Sequence, residues 1–316
     1  MHAAAINLRG GVSPRNTRLR GQSIIEYVLI IAIIGLVIVF AGPGVAGAIR
    51  NQFNLVGNTV NSGTTGGVEG GASGGGSAGA DSATVQAAVA KDAKDWTLDE
   101  QEAVAKDISK NGTSSIAYAK AKVAMDAGTR FSVKLTDGKT LTYRIVGINH
   151  DDLADGSGKA GLTFEATNNA MGEQRMNATD TTVGGWEKSE LRGRLNTGDL
   201  WSLLPGNFQS KAKAVTKMTD NKGIGGVPPS ATTDTIFLLS ATEVYGNLRP
   251  DGTQYEYYKS KGVTESNWSG ASSGIYHWTR SVSAGSSKAF HYVRGNGNWY
   301  YYDAADTAYV FPAWCF

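Results

Sequence analysis

The chain has 316 residues, a single cysteine and a formal net charge of +2, which is long enough for a sizeable core and leaves no second cysteine for an internal disulfide. The charge is uneven: residues 1–21 hold Arg9, Arg15, Arg18 and Arg20 and no acid, so 26 of the 30 basic residues face 28 acidic ones in the rest. A basic leader on a slightly acidic body excludes the broad basic face of a nucleic-acid binder and points to membrane targeting.

In chain order, the polar leader 1–21 gives way to an apolar run, IIEYVLIIAIIGLVIVFA, at residues 24–41. No charge occurs from Val28 to Ile49, a stretch of ~33 Å as a helix, which predicts a membrane span. Gly42-Pro43-Gly44 interrupts it, and Ile49, Phe53 and Val56 follow at helical spacing. Residues 61–82 are a Gly/Ser-rich linker, with an r.m.s. span of roughly 25 Å. A helical spacer is predicted at 83–128: an Ala-rich piece at 83–95, a capping box at Thr97-Leu98-Asp99-Glu100 opening a helix to about Lys110, and a helix at 114–127 stopped at Gly128.

The pattern then changes. Phe131–Leu135 and Leu141–Ile148 flank Asp137-Gly138 and read as a hairpin. Trp186–Leu195 and Asp199–Leu204 read as helical, and Ile236–Ser240 as a buried strand. Further strands are expected at 275–281, 289–294, 298–303 and 308–312. Residues 129–316 therefore read as one α+β domain. Cys315, in an apolar tail, is expected to be buried.

The segment Arg20-Gly21-Gln22-Ser23-Ile24-Ile25-Glu26-Tyr27 resembles the processing site of type IV prepilins, and within them the Flp (type IVb) pilins of the Tad system. The resemblance covers residues 15–60 and implies cleavage after Gly21 by a prepilin peptidase. Gln22 would then be the first mature residue, and Glu26 and Tyr27 the fifth and sixth, carrying assembly. An ionised carboxylate inside a bilayer is costly unless paired, and Glu26 is expected to pair with the new amino terminus at Gln22. The implied partners are the peptidase, the pilus assembly machinery, other pilin subunits and the membrane, with the C-terminal domain extracellular on a pilus or cell surface. Flp pilins are short, and this chain carries over 200 residues beyond the linker. That favours a minor or tip subunit, with a membrane-anchored binding module outside any fibre as the alternative. A cleaved secretory signal ending near Ala48 is a third reading.

Residues 129–316 resemble a domain of unknown function of bacterial surface proteins. The resemblance rests on Tyr143–His150, Gly185–Arg192, Leu195-Asn196, Phe237–Ser240, Tyr276–Ser281 and Val310–Trp314. It implies a C-type-lectin-like fold with the terminal strand paired to an early one. The complete expected fold class is thus one N-terminal transmembrane α-helix plus an α+β extracellular domain.

Trp278, Trp299, Tyr300, Tyr301, Tyr302 and Tyr309 lie among Gly and Asn. Aromatic faces beside amides suit sugar rings or peptides, so Trp278, Trp299 and Tyr301 are the candidate contacts for a surface glycan or peptide. The same residues are also ordinary strand formers and core fillers, and alternation turns half of 298–303 inward. Asp151, Asp152 and Asp155 could offer oxygens to calcium, but they miss the spacing of a known loop and read better as a solvated turn. HExxH and CxxC are missing from the sequence. His150 beside two aspartates is the one acid/base candidate and has no assignable nucleophile. No catalytic residue, metal or cofactor is therefore assigned, and no enzyme is expected. The protein isolated from its native cells should begin at Gln22 on N-terminal sequencing; a start at Met1 or near Ala48 would defeat the prepilin reading.

Overall fold

The computed structural model describes residues 77–222 and 228–316, all within one unit of residues 67–316. Three helices come first: α1 (Ser77–Ala90), α2 (Leu98–Asn111) and α3 (Tyr118–Ala127). The expected capping box opens α2: Thr97 Oγ1 accepts from Glu100 N at 3.2 Å, and Glu100 Oε2 from Thr97 N at 2.7 Å. This satisfies two of the donors that a helix start leaves unpaired. Gly128, at φ 64°, stops α3 as expected.

Strands β1 (Arg130–Lys134) and β2 (Thr140–Ile148) form the expected antiparallel hairpin. Phe131, Val133, Leu141, Tyr143 and Ile145 alternate inward. β2 then pairs with β3 (Leu162–Ala166), which the sequence reading missed. A second small strand, β4 (Glu173–Arg175), leads into the short helices Gly185–Lys188 and Glu190–Asn196, where one continuous helix was expected. Ser189 breaks the run: extended at φ −66° and ψ 142°, its side chain caps the second helix.

A hairpin of β5 (Val215–Thr219) and β6 (Ser230–Asp234) follows, then β7 (Ile236–Phe237), shorter than expected because Ser240 opens the capped helix Ala241–Tyr245. The last third supplies β8 (His277–Val282), β9 (Ala289–Val293), β10 (Trp299–Asp303), β11 (Thr307–Tyr309) and β12 (Ala313–Cys315). The strands form a sheet in the order β1-β2-β3-β12-β7, a second in the order β10-β9-β8-β11-β4, and the β5-β6 hairpin.

The terminal strand β12 sits between β3 and β7. It carries Trp314 into an aromatic cluster with Tyr143 at 4.8 Å, Phe208 at 4.9 Å and Phe164 at 5.9 Å between ring centroids. The helices expected as a spacer share this core: Val85, Ala88, Trp96, Val104 and Ile108 are buried in it. Gly161 makes that packing possible, because a Cβ there would stand 1.8 Å from the Ala105 carbonyl oxygen of α2.

The expected fold class is corrected here. Among the described residues no helix is long and apolar enough to cross a membrane. The longest, α1 and α2, have 14 residues, or ~21 Å against a ~30 Å bilayer core. The segment expected to span, residues 22–60, lies outside the described residues. What the described residues form is an α+β domain of two five-stranded sheets, a hairpin and packed helices. Trp314→Ala should remove about 3–5 kcal/mol of unfolding free energy by opening a cavity under both sheet and terminus. Denaturant titration would show a lower midpoint at unchanged slope.

Candidate functional site

Two polar or aromatic constellations stand out. The first is a row of tyrosine rings on the second sheet. The contacts run from Tyr309 to Tyr276 at 5.4 Å, to Tyr302 at 6.3 Å, to Tyr292 at 4.1 Å, to Tyr300 at 6.3 Å and to Tyr301 at 4.7 Å between centroids. It crosses from β11 past Tyr276, which immediately precedes β8, and over β9 to β10, three strand spacings or ~15 Å. Tyr300 and Tyr301 are 40% and 47% exposed, and their rings lie within 6° of parallel. β10 is the edge of its sheet, with no strand beyond it to cover either side chain, so the expected inward turn of alternate residues fails there.

Polar groups mark both ends of the row. The Arg294 guanidinium lies 4.1 Å over the Tyr300 ring and donates to the Tyr292 hydroxyl at 3.3 Å. At the other end the Tyr276 hydroxyl donates to Glu173 Oε1 at 2.8 Å, and Thr307 Oγ1 to Oε2 at 3.1 Å. These bonds hold the Glu173 carboxyl below its ordinary range and push the Tyr276 phenol up to about 12. Glu173 also borders an open cleft of about 310 Å³ shared with Gln174, Arg175, Glu190 and Arg194.

Of the predicted contacts, Tyr301 lies at the exposed end of the row. Trp278 is buried, its indole donating to the Gln174 carbonyl at 2.7 Å, so it supports the sheet from within and cannot meet a ligand from solvent. Trp299 is half-buried, packed on His291 at 5.8 Å and donating to the Glu265 carbonyl at 3.3 Å. Tyr276, Tyr292, Arg294 and Glu173 were not foreseen as contacts, since their neighbours come from distant strands. The processing and assembly positions Gly21, Gln22, Glu26 and Tyr27 lie outside the described residues.

The second constellation is a buried chain of charges. Asn149, in the left-handed region at φ 52°, turns the backbone after β2. Asp151 then enters the interior, where Lys217 Nζ of β5 meets its Oδ1 at 2.5 Å and Glu243 Oε1 at 2.7 Å. Arg280 of β8 closes on Glu243 with both terminal nitrogens, one at 2.8 Å. The Tyr255 hydroxyl accepts from Lys217 at 3.0 Å and donates to Asp151 Oδ2 at 2.9 Å, which also accepts from Thr163 Oγ1 at 2.5 Å. Burial opposes the charged forms, yet the opposite charges win: Asp151 and Glu243 are held below, and Lys217 above, their ordinary ranges.

Asp151 is therefore no part of a solvated turn. Asp152 and Asp155 do face outward, paired with Lys159 at 2.8 Å and with the Ser157 hydroxyl at 2.6 Å, and no cluster of three metal-ligating side chains occurs among the described residues. Cys315 is buried at 3.3 Å from Thr163 Oγ1, and burial pushes its thiol up. His150 binds Glu256 through Nδ1 at 3.1 Å and stacks on Tyr255 at 4.1 Å. Burial pulls its value down, but Glu256 and Asp151 leave it raised.

The sequence runs behind the surface-domain resemblance are largely structural. Trp186 Nε1 and Arg192 Nε both donate to buried Asp234, at 3.1 and 2.5 Å. The Asn196 side chain brackets the start of β7, accepting from Thr235 N and donating to Ile236 O, each at 2.8 Å. Ser240 and Arg280 both secure Glu243.

Comparison with known families finds one model, described as Domain of unknown function (DUF6273), matching residues 157–315, half of the chain. No curated protein matches. No solved structure matches.

Buried His277 and His291 are held neutral, both lowered to about 4 by desolvation, with Arg144 and Arg249 respectively adding to it. Their contribution to stability is complete above the ordinary value of 6.5 and is lost as pH falls toward 4. Full protonation would cost about 3 kcal/mol per histidine. The raised His150 works oppositely, stabilising below 6.5 and losing that as pH rises through its folded value. His277→Phe, which keeps the 4.1 Å stack on Phe311, should flatten the fall in melting temperature between pH 6.5 and 4; an unchanged slope would refute the assignment.

Proposed function

This chain belongs to the family described as Domain of unknown function (DUF6273), and from that premise we propose a pilin-like surface subunit whose C-terminal domain recognises a glycan through its tyrosine row. The observation that carries the reading is the continuous row itself, two of its rings exposed and stacked at one edge. Flat aromatic surface covers the C–H face of a sugar ring, and the Glu173 carboxylate and Arg294 guanidinium supply polar partners for hydroxyls at the two ends. An open sheet face accepts part of a longer chain, whereas a closed pocket would select a small molecule.

Display rests on the Arg20–Tyr27 motif. In this reading a prepilin peptidase cuts after Gly21. Gln22 becomes the new amino terminus, and Glu26 and Tyr27 engage sibling pilins and the assembly machinery. The domain is then carried on a pilus or the cell surface, by a minor or tip subunit. Binding calls on no catalytic group, metal or cofactor. The length beyond the linker fits such a minor or tip subunit; the alternative is a membrane-anchored glycan- or peptide-binding module that joins no fibre.

The test is a printed oligosaccharide array probed with the full chain and with a Tyr300→Ala/Tyr301→Ala variant. The variant should bind the same glycans about tenfold more weakly, from loss of ~1 kcal/mol or more of ring contact, at unchanged melting temperature. A wild-type chain that binds no glycan, or binding indifferent to both rings, would end this reading.

A further inference from the structure

The Lys217 and Asp151 side chains are each 3% exposed, and the ammonium faces the Phe237 ring at 4.4 Å and the Tyr255 ring at 5.3 Å. An amine and a carboxyl pressed together in a dry, aromatic-walled site are reactants as well as an ion pair. Fixed proximity of this kind replaces a bimolecular encounter, and exclusion of water disfavours hydrolysis of the product. We propose that Lys217 Nζ and Asp151 Cγ join in an intramolecular amide bond, with Glu243 as the proton carrier.

The surrounding groups each have a place in the step. A proton passes from Nζ to Asp151 Oδ1 across their 2.5 Å contact, giving a free amine and a carboxylic acid. Nζ attacks Cγ. Negative charge gathers on Oδ2, which Thr163 Oγ1 and the Tyr255 hydroxyl already address at 2.5 and 2.9 Å. Glu243, 2.7 Å from Nζ, takes a proton from the nitrogen and returns it to Oδ1. The C–Oδ1 bond breaks and one water leaves. The ammonium and carboxylate charges vanish together, so no charge is stranded, and Glu243 ends as it began, a carboxylate held by Arg280. No oxidant, reductant or external reagent is consumed.

Glu243 is also in reach of Nζ, but Arg280 grips both of its oxygens, and the Ser240 amide donates to Oε2 at 2.9 Å. These bonds stabilise the carboxylate and leave it a poor electrophile. Asp151 carries the hydroxyl donors that an addition intermediate requires. The selected bond would join positions 66 residues apart and tie the end of β2 to the β5-β6 hairpin.

The test is tryptic peptide mapping of the full-length chain, denatured and analysed by mass spectrometry. The expected product is a branched peptide of residues 145–159 and 214–222, lighter by one water than the sum of its parts and uncut at Lys217. Recovery of separate, full-mass peptides 145–159 and 214–217 from folded protein would overturn the proposal, as would a link to the peptide holding Glu243. Glu243→Gln, checked for native circular dichroism, should lose the branched peptide; its persistence would overturn the role given to Glu243.

Discussion

Taking charges out of water is expensive, and a fold that buries Asp151, Lys217, Glu243 and Arg280 is viable only if each meets its opposite. They do so in sequence, carboxylate to ammonium to carboxylate to guanidinium. The members come from four places: the turn after β2, strand β5, the helix Ala241–Tyr245 and strand β8. One chain of charges thereby reaches the first sheet, the hairpin and the second sheet. Arg280 extends it by donating to the Leu238 and Met218 carbonyls at 2.9 and 3.1 Å and to Thr219 Oγ1 at 2.8 Å. Removing a single member would leave its neighbour charged and unpaired in a dry interior, the costliest kind of defect.

The aromatic side chains are organised on a different principle. Trp314, Tyr143, Phe164 and Phe208 meet where β12 slots between β3 and β7, and there they are simply core. In the second sheet the rings around Tyr302 form a row whose far end reaches solvent. Nothing in the composition of the run Trp-Tyr-Tyr-Tyr-Asp separates these two fates. Strand order separates them: β10 is an edge, and β12 has a partner on each side.

Legibility follows range. The α2 capping box, the Gly128 stop and the Asp137-Gly138 hairpin were readable because each depends on residues within a few positions of one another. β3 and the β5-β6 hairpin escaped, being short and punctuated by polar residues whose partners are remote; β12 was expected only as a terminal strand paired to an early one, and it pairs with β3. Lys217 did leave a trace. It falls on the inward phase of β5 between Val215 and Thr219, both buried, and a lysine on an inward phase announces a buried counter-charge without saying which. The tyrosine row was half visible: Tyr300, Tyr301, Tyr302 and Tyr309 were marked, but Tyr276 and Tyr292 join them only across strands.

By itself, then, the sequence determined the basic N-terminal stretch, the apolar run, the Gly/Ser-rich stretch and most local starts and stops, because composition is read directly and caps, turns and alternation are short-range preferences of the backbone. The tertiary structure decided which acid faces Lys217, which tryptophan is interior and which tyrosines share a surface. Those outcomes depend on pairings between strands far apart in the chain. No local preference encodes them; they are selected by the joint requirement that apolar surface be buried and every buried charge be matched.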